Sequence, residues 1–165
     1  MRRAVVATLL ACVGHGAIAS AQPPLSRDPS PVARLSSGHA SFSVFSGFTD
    51  SARFVVRDSD AWRETWQTIQ RPFIPPPPVP PIDFSREMVV VAALGARSSE
   101  GYEVVFENVR EDTTGIEVAV RVSEPARGCP VAAVMTQPVD LARIPASARP
   151  VRFRQRNVVV PCGVR

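Results

Sequence analysis

Between residues 102 and 122 apolar and polar positions alternate, the signature of strands with one wet face. "GYEVVFENVR" sets Tyr102, Val104 and Phe106 against Glu103, Val105 and Glu107. "IEVAVRVS" sets Ile116, Val118, Val120 and Val122 against Glu117, Ala119, Arg121 and Ser123. The polar "REDTTG" between them predicts a hairpin. "EMVVVAALG" is different: its apolar run has no polar alternation, so it predicts a central strand covered on both faces. "SFSVFSGF" predicts a strand with a slip near Gly47, and "ARFVVRD" a short strand. "VAAVMTQP" and "PVRFRQRNVVV" supply two more.

One segment has helical periodicity. In "DSDAWRETWQTIQRP", Trp62, Trp66 and Ile69 fall at i, i+4 and i+7 on one face. Asp58 or Ser59 can cap its start, and Pro72 ends it. The stripe predicts anchoring to a sheet in preference to ligand stacking. Residues 72–81 are too rich in proline for a helix or a central strand. They predict an extended polyproline spacer from the helix to the apolar strand, with docking of a partner domain as the rival use. The predicted fold is α+β: mainly an antiparallel β-sheet meander, sandwich or small barrel-like, with one amphipathic helix.

The chain begins "MRRAVVATLLACVGHGAIASAQ", with two arginines, an apolar run and a small-residue box at Ala19-Ser20-Ala21. This predicts a signal peptide over residues 1–21, an exported protein in the periplasm or outside the cell, and no transmembrane span. A second reading makes Cys12 a lipid anchor, because Leu9-Leu10-Ala11-Cys12 loosely resembles a lipobox. Residues 22–40, rich in Pro and Ser, predict a flexible tether, and residues 41–165 a single domain. Cys129 and Cys162 are the cysteines left after cleavage, an even pair that most simply forms a disulfide. No C-x-x-C spacing or histidine cluster argues for a metal, and no cofactor motif is present.

Loss of Arg2 and Arg3 lowers the formal charge from +4 to +2. Its distribution is uneven: residues 22–140 carry −4 and residues 141–165 carry +6. Arg152, Arg154 and Arg156 are predicted to project from one face of one strand. They form a candidate site for an anionic envelope ligand, against the alternative that they pair across strands with Glu103, Glu107 or Glu117. Nucleic acid is not expected, since the chain reads as exported and no aromatics interleave the arginines in the manner of a stacking platform. His39 is the only histidine after residue 21, so a nucleophile–base–orienter set is lacking and the expectation is a protein that is not an enzyme.

Several short motifs occur in a telling order: Trp62 and Trp66, Asp83-Phe84, Leu94-Gly95, Gly101-Tyr102 and Pro138. Over about residues 50–155 the chain resembles the C-terminal domain of the protease-complex subunit PrcB. Glu100 departs from the pattern, standing where that family often has a second glycine. The resemblance implies a non-enzymatic exported domain that helps to stabilise or assemble a secreted protease complex. The partner would then be a secreted or envelope protein, a protease among the candidates. Gly95 and Gly101 bracket "ARSSE" as a predicted hairpin tip. Arg97, Ser98, Ser99, Glu100, Gly101 and Tyr102 are the candidate partner-binding loop, and a protease inhibitor using that loop is a further reading.

Overall fold

The computed structural model describes residues 30, 31, 33–35 and 44–163. The expected signal peptide, Cys12 and His39 lie outside them. Eight strands and one helix follow in order: β1 (Ser30–Pro31), β2 (Ala33–Arg34), β3 (Ala52–Val56), α1 (Ser59–Gln70), β4 (Glu87–Ala93), β5 (Glu103–Asp112), β6 (Gly115–Pro125), β7 (Val139–Pro145) and β8 (Val151–Val160). Among the described residues no helix is long and apolar enough to cross a membrane.

The strands form two four-stranded sheets, ordered β1-β5-β6-β8 and β2-β7-β4-β3. With α1 on the outside they make a layered α+β sandwich, not a closed barrel. β4 shows why its sequence is uniformly apolar. Met88, Val90, Ala92 and Leu94 enter one core, with Phe106, Val118 and Val120 of the opposite sheet. Val89, Val91 and Ala93 enter a second core, with Trp62, Trp66 and Ile69 of α1. Neither face meets water, so neither tolerates a polar residue.

α1 begins where expected. Asp58 is its cap, accepting hydrogen bonds from the Asp60 N–H at 3.1 Å and the Ala61 N–H at 2.8 Å. An aspartate in this place satisfies N–H groups that the first turn leaves without partners. Both tryptophans are 2% exposed, with ring centroids 5.4 Å apart. Each indole N–H still needs an acceptor, and the proline run provides it. Trp62 Nε1 donates to Pro80 O at 2.9 Å, and Trp66 Nε1 to Pro77 O at 3.0 Å. The spacer is thus bonded along the helix it follows. Proline suits this use, because it lacks an N–H to satisfy and keeps its carbonyl.

Four expectations are corrected. First, residues 44–50 form no strand. Gly47 passes so close to α1 that a Cβ would stand 2.1 Å from Thr68 O, and the buried Ser46 hydroxyl donates to Gln137 O at 2.9 Å. This close packing replaces ladder pairing; residues 41–43 are not described. Second, residues 131–138 are irregular, with a single bridge between Arg97 and Thr136. Third, β8 runs parallel to β6, from Ile116↔Val151 to Pro125↔Val160, so the sheet is not an antiparallel meander throughout. The chain leaves β6, crosses to the other sheet as β7, and returns along the outer side of β6 in its direction. Fourth, part of the stretch expected as a tether pairs with the sheets: Ser30↔Val109, Pro31↔Asn108, Ala33↔Arg143 and Arg34↔Ala142.

The β5–β6 hairpin is as predicted, with Asp112 Oδ1 accepting from the Thr114 and Gly115 N–H groups across its turn. Its ladder shifts between Phe106 and Asn108. The extra residue, Glu107, resets the alternation so that both Phe106 and Val109 face the core. Beside this bulge Asp140 Oδ2 of β7 accepts the Phe106 N–H at 2.7 Å, a polar tie between the sheets.

Candidate functional site

The predicted contact loop is not a hairpin tip. β4 and β5 lie in different sheets, so residues 94–102 carry the chain from one layer to the other. The crossing is stitched to the irregular 131–138 segment. Leu94 N donates to Pro138 O at 2.9 Å, Arg97 N to Thr136 O at 2.8 Å and Glu100 N to Ala132 O at 3.0 Å. The buried Thr136 hydroxyl donates to Ser99 O at 3.0 Å. Gly95 has φ +76°, and a Cβ there would sit 2.7 Å from Asp50 C. Both torsion and space therefore require glycine. The Arg97 guanidinium stands 5.6 Å from the centre of the Tyr102 ring. That is within cation–π range. Ser98 is exposed, while Ser99 and Glu100 are half-buried.

Gly101 and Tyr102 form one wall of a cleft of about 710 Å³. Its other walls are apolar: Pro125 from β6, Pro130 and Val131 from the irregular segment, and Val160 and Pro161 at the end of β8. Cys129 and Cys162 line it and are joined as a disulfide with Cα atoms 5.2 Å apart. At the polar end Arg121 meets Glu103 at 3.0 Å and Glu107 at 3.6 Å, and also donates to Ser123 Oγ. The cleft therefore combines an apolar wall with one internally compensated ion-pair cluster.

The structure brings Gly101, Tyr102, Cys129 and Cys162 together and leaves Arg97, Ser98, Ser99 and Glu100 outside the cleft lining. Sequence reasoning missed the apolar walls. The signal was a pair of mirrored triplets: Cys129-Pro130-Val131 and Val160-Pro161-Cys162. A disulfide between their cysteines necessarily brings two Pro-Val pairs to one place.

Arg152, Arg154 and Arg156 share the outer face of the β5–β6–β8 sheet, away from Phe153 in the core. Arg156 makes a two-pronged pair with Glu107, its Nε donating at 2.8 Å. Such a forked, charge-assisted pair is stronger than a single neutral hydrogen bond. This hydrogen bond, then the charges of Arg156 and Arg121, hold the Glu107 carboxyl below the usual range and raise Arg156 in turn. Arg154 lies 3.9 Å from Glu117, and Arg152 donates to the neutral Thr114 O at 3.1 Å. Cross-strand pairing thus engages two of the three arginines.

A search of curated proteins and a search of solved structures returned no match. The match to a known family covers β4 through β7, including the crossing loop and the 131–138 segment, and excludes Trp62, Trp66 and Asp83-Phe84. Residues 88–145 match the family model described as PrcB C-terminal, and over this stretch the chain is PrcB C-terminal-like.

Proposed function

We propose that this is an exported, non-enzymatic protein-binding domain, and that its cleft receives an apolar segment of a secreted or envelope partner within a protease complex. The observation that carries the reading is the cleft itself, with apolar walls closed by the Cys129–Cys162 bridge and bordered by the hydrogen-bonded 94–102 crossing. Concave apolar sites with a few polar groups at one end are suited to anchoring a partner's side chains. The Glu103 and Arg121 charges neutralise each other, which fits recognition more than proton transfer. The disulfide supports export to an oxidising compartment. The PrcB C-terminal match supports the protease-complex setting.

The test is a crosslinked pull-down of the tagged protein from its own cell envelope, run beside Val131→Arg and Ser98→Phe. The reading expects a protease in stoichiometric amount with the wild type, lost with Val131→Arg and weakened with Ser98→Phe, at unchanged melting temperature. Recovery of glycan or lipid alone, or equal recovery with all three proteins, overturns it.

A further inference from the structure

The exposed edge of β8 carries a separate consequence. β8 is the last strand of its sheet and pairs only with β6 among the described residues. The Ile116 N–H donates to Pro150 O at 2.9 Å and the Ala126 N–H to Val160 O at 3.0 Å, at the two ends of an unbroken parallel register. Even-numbered residues of β8 therefore turn their backbone groups toward β6. The N–H and C=O groups of Val151, Phe153, Gln155, Asn157 and Val159 point away from the sheet. Long edges of this kind are usually shortened, bulged or interrupted by proline. This one is ten residues long, has no internal proline and shows no register shift.

Among the described residues its protection is charge. The outer face beside the edge holds Glu103, Glu107, Asp112 and Glu117 against Arg110, Arg121, Arg152, Arg154 and Arg156, an excess of one positive charge. Arg152 donates its hydrogen bond to a neutral carbonyl, with the Asp112 charge nearby, and Arg154 has a 3.9 Å pair with its side chain 77% exposed, so both can engage a new carboxylate. A second copy of this chain is a poor occupant. A twofold axis normal to the sheet keeps each face aligned, so antiparallel β8–β8 pairing through the arginine stretch would set arginine opposite arginine.

We infer that β8 accepts, by strand addition, an extended acidic segment of another protein, with carboxylates at alternate positions facing Arg152 and Arg154. Backbone hydrogen bonds would supply affinity and the alternating charges specificity. This goes beyond the cleft reading and stands without it, because it rests on edge geometry and not on the cavity walls.

The experiment uses the full-length protein and two labelled ten-residue peptides, one alternating glutamate with valine and one alternating lysine with valine. Fluorescence anisotropy measures binding at low and high salt, and hydrogen exchange follows the β8 amides. The inference expects the glutamate peptide to bind at least roughly tenfold more tightly than the lysine peptide, with salt-sensitive affinity. It also expects slowed exchange at Phe153, Gln155 and Asn157. Asn157→Pro removes an outward N–H and no β6 bond, so it should abolish binding while the fold persists. Should that variant unfold, Arg152→Glu with Arg154→Glu leaves the backbone intact and should reverse the peptide preference. Tyr102→Ala should not change peptide affinity, which separates this edge from the cleft. Equal affinity for the two peptides, no binding of either, or a preference untouched by the double charge reversal overturns the inference.

Discussion

The two sheets treat their outer faces in opposite ways. The β2-β7-β4-β3 sheet is roofed by α1, and the proline run lies along that helix, so Val89, Val91 and Ala93 are fully buried. The β1-β5-β6-β8 sheet leaves its outer face to water and covers it with arginines and glutamates. Apolar burial is worth about 1.5–3 kcal/mol per large side chain, whereas an exposed ion pair contributes about 0–1 kcal/mol. Stability should therefore reside in the roofed half, and recognition should draw on the open half and the cleft at its end.

The largest effect should come from removing the roof's anchor. Trp66→Ala empties a buried site beside Ile69 and Val91 and deletes the donor to Pro77 O. The expected loss is about 3–5 kcal/mol by chemical denaturation. A loss below about 1 kcal/mol would mean that α1 is not a structural roof. Next is the bridge at the cleft. Its cysteines are 33 residues apart. Cys129→Ser with Cys162→Ser should cost about 3–4 kcal/mol on the loop-entropy account. The same variant should loosen the cleft and weaken capture of the partner more than it alters α1, which tryptophan fluorescence can follow.

Asp140 tests the joint between the halves. Its carboxylate accepts the Phe106 N–H from the other sheet at 2.7 Å and the Leu141 N–H at 3.0 Å. Asp140→Ala should cost about 1–3 kcal/mol, the typical result of leaving buried donors without an acceptor. Hydrogen exchange should localise the loss to the bulge at residues 106–108. A uniform change across both sheets would argue against a local tie.

In the roofed half β3, β4 and α1 were legible in the sequence while β2 and β7 were not, and the open half was also legible only in part. β4 announced its burial through an unbroken apolar run, and α1 through Trp62, Trp66 and Ile69 with the Asp58 cap. These are local patterns, set by residues within a few positions of one another. The parallel approach of β8 depends on where β7 goes, which no local pattern in Val151–Val160 encodes. Residues 95–101 read equally well as a hairpin tip or an inter-sheet crossing, because glycines at both ends suit either. The cleft depends on a disulfide closing two distant Pro-Val pairs, so its walls emerge only when Cys129 and Cys162 are placed.

The smallest expected effect concerns the charged face itself. Glu107 is held below its ordinary 4.5 by the Arg156 hydrogen bond, then by the charges of Arg156 and Arg121. A carboxyl with a lowered folded pKa stabilises the fold above its unfolded value, and that contribution fades as pH falls through the folded value. Glu107→Gln should therefore be less stable than the wild type near neutral pH, by no more than about 1 kcal/mol for so exposed a pair. The two proteins should converge as the solution is acidified below 4.5. Asp83 and Asp112 are lowered too, each chiefly by a neighbouring hydroxyl, and act alike in both proteins. Urea unfolding midpoints across an acid series measure the convergence. Were the gap to stay constant with pH, the Glu107–Arg156 pair would contribute through shape and not charge. The open face would then owe its arginines to recognition alone.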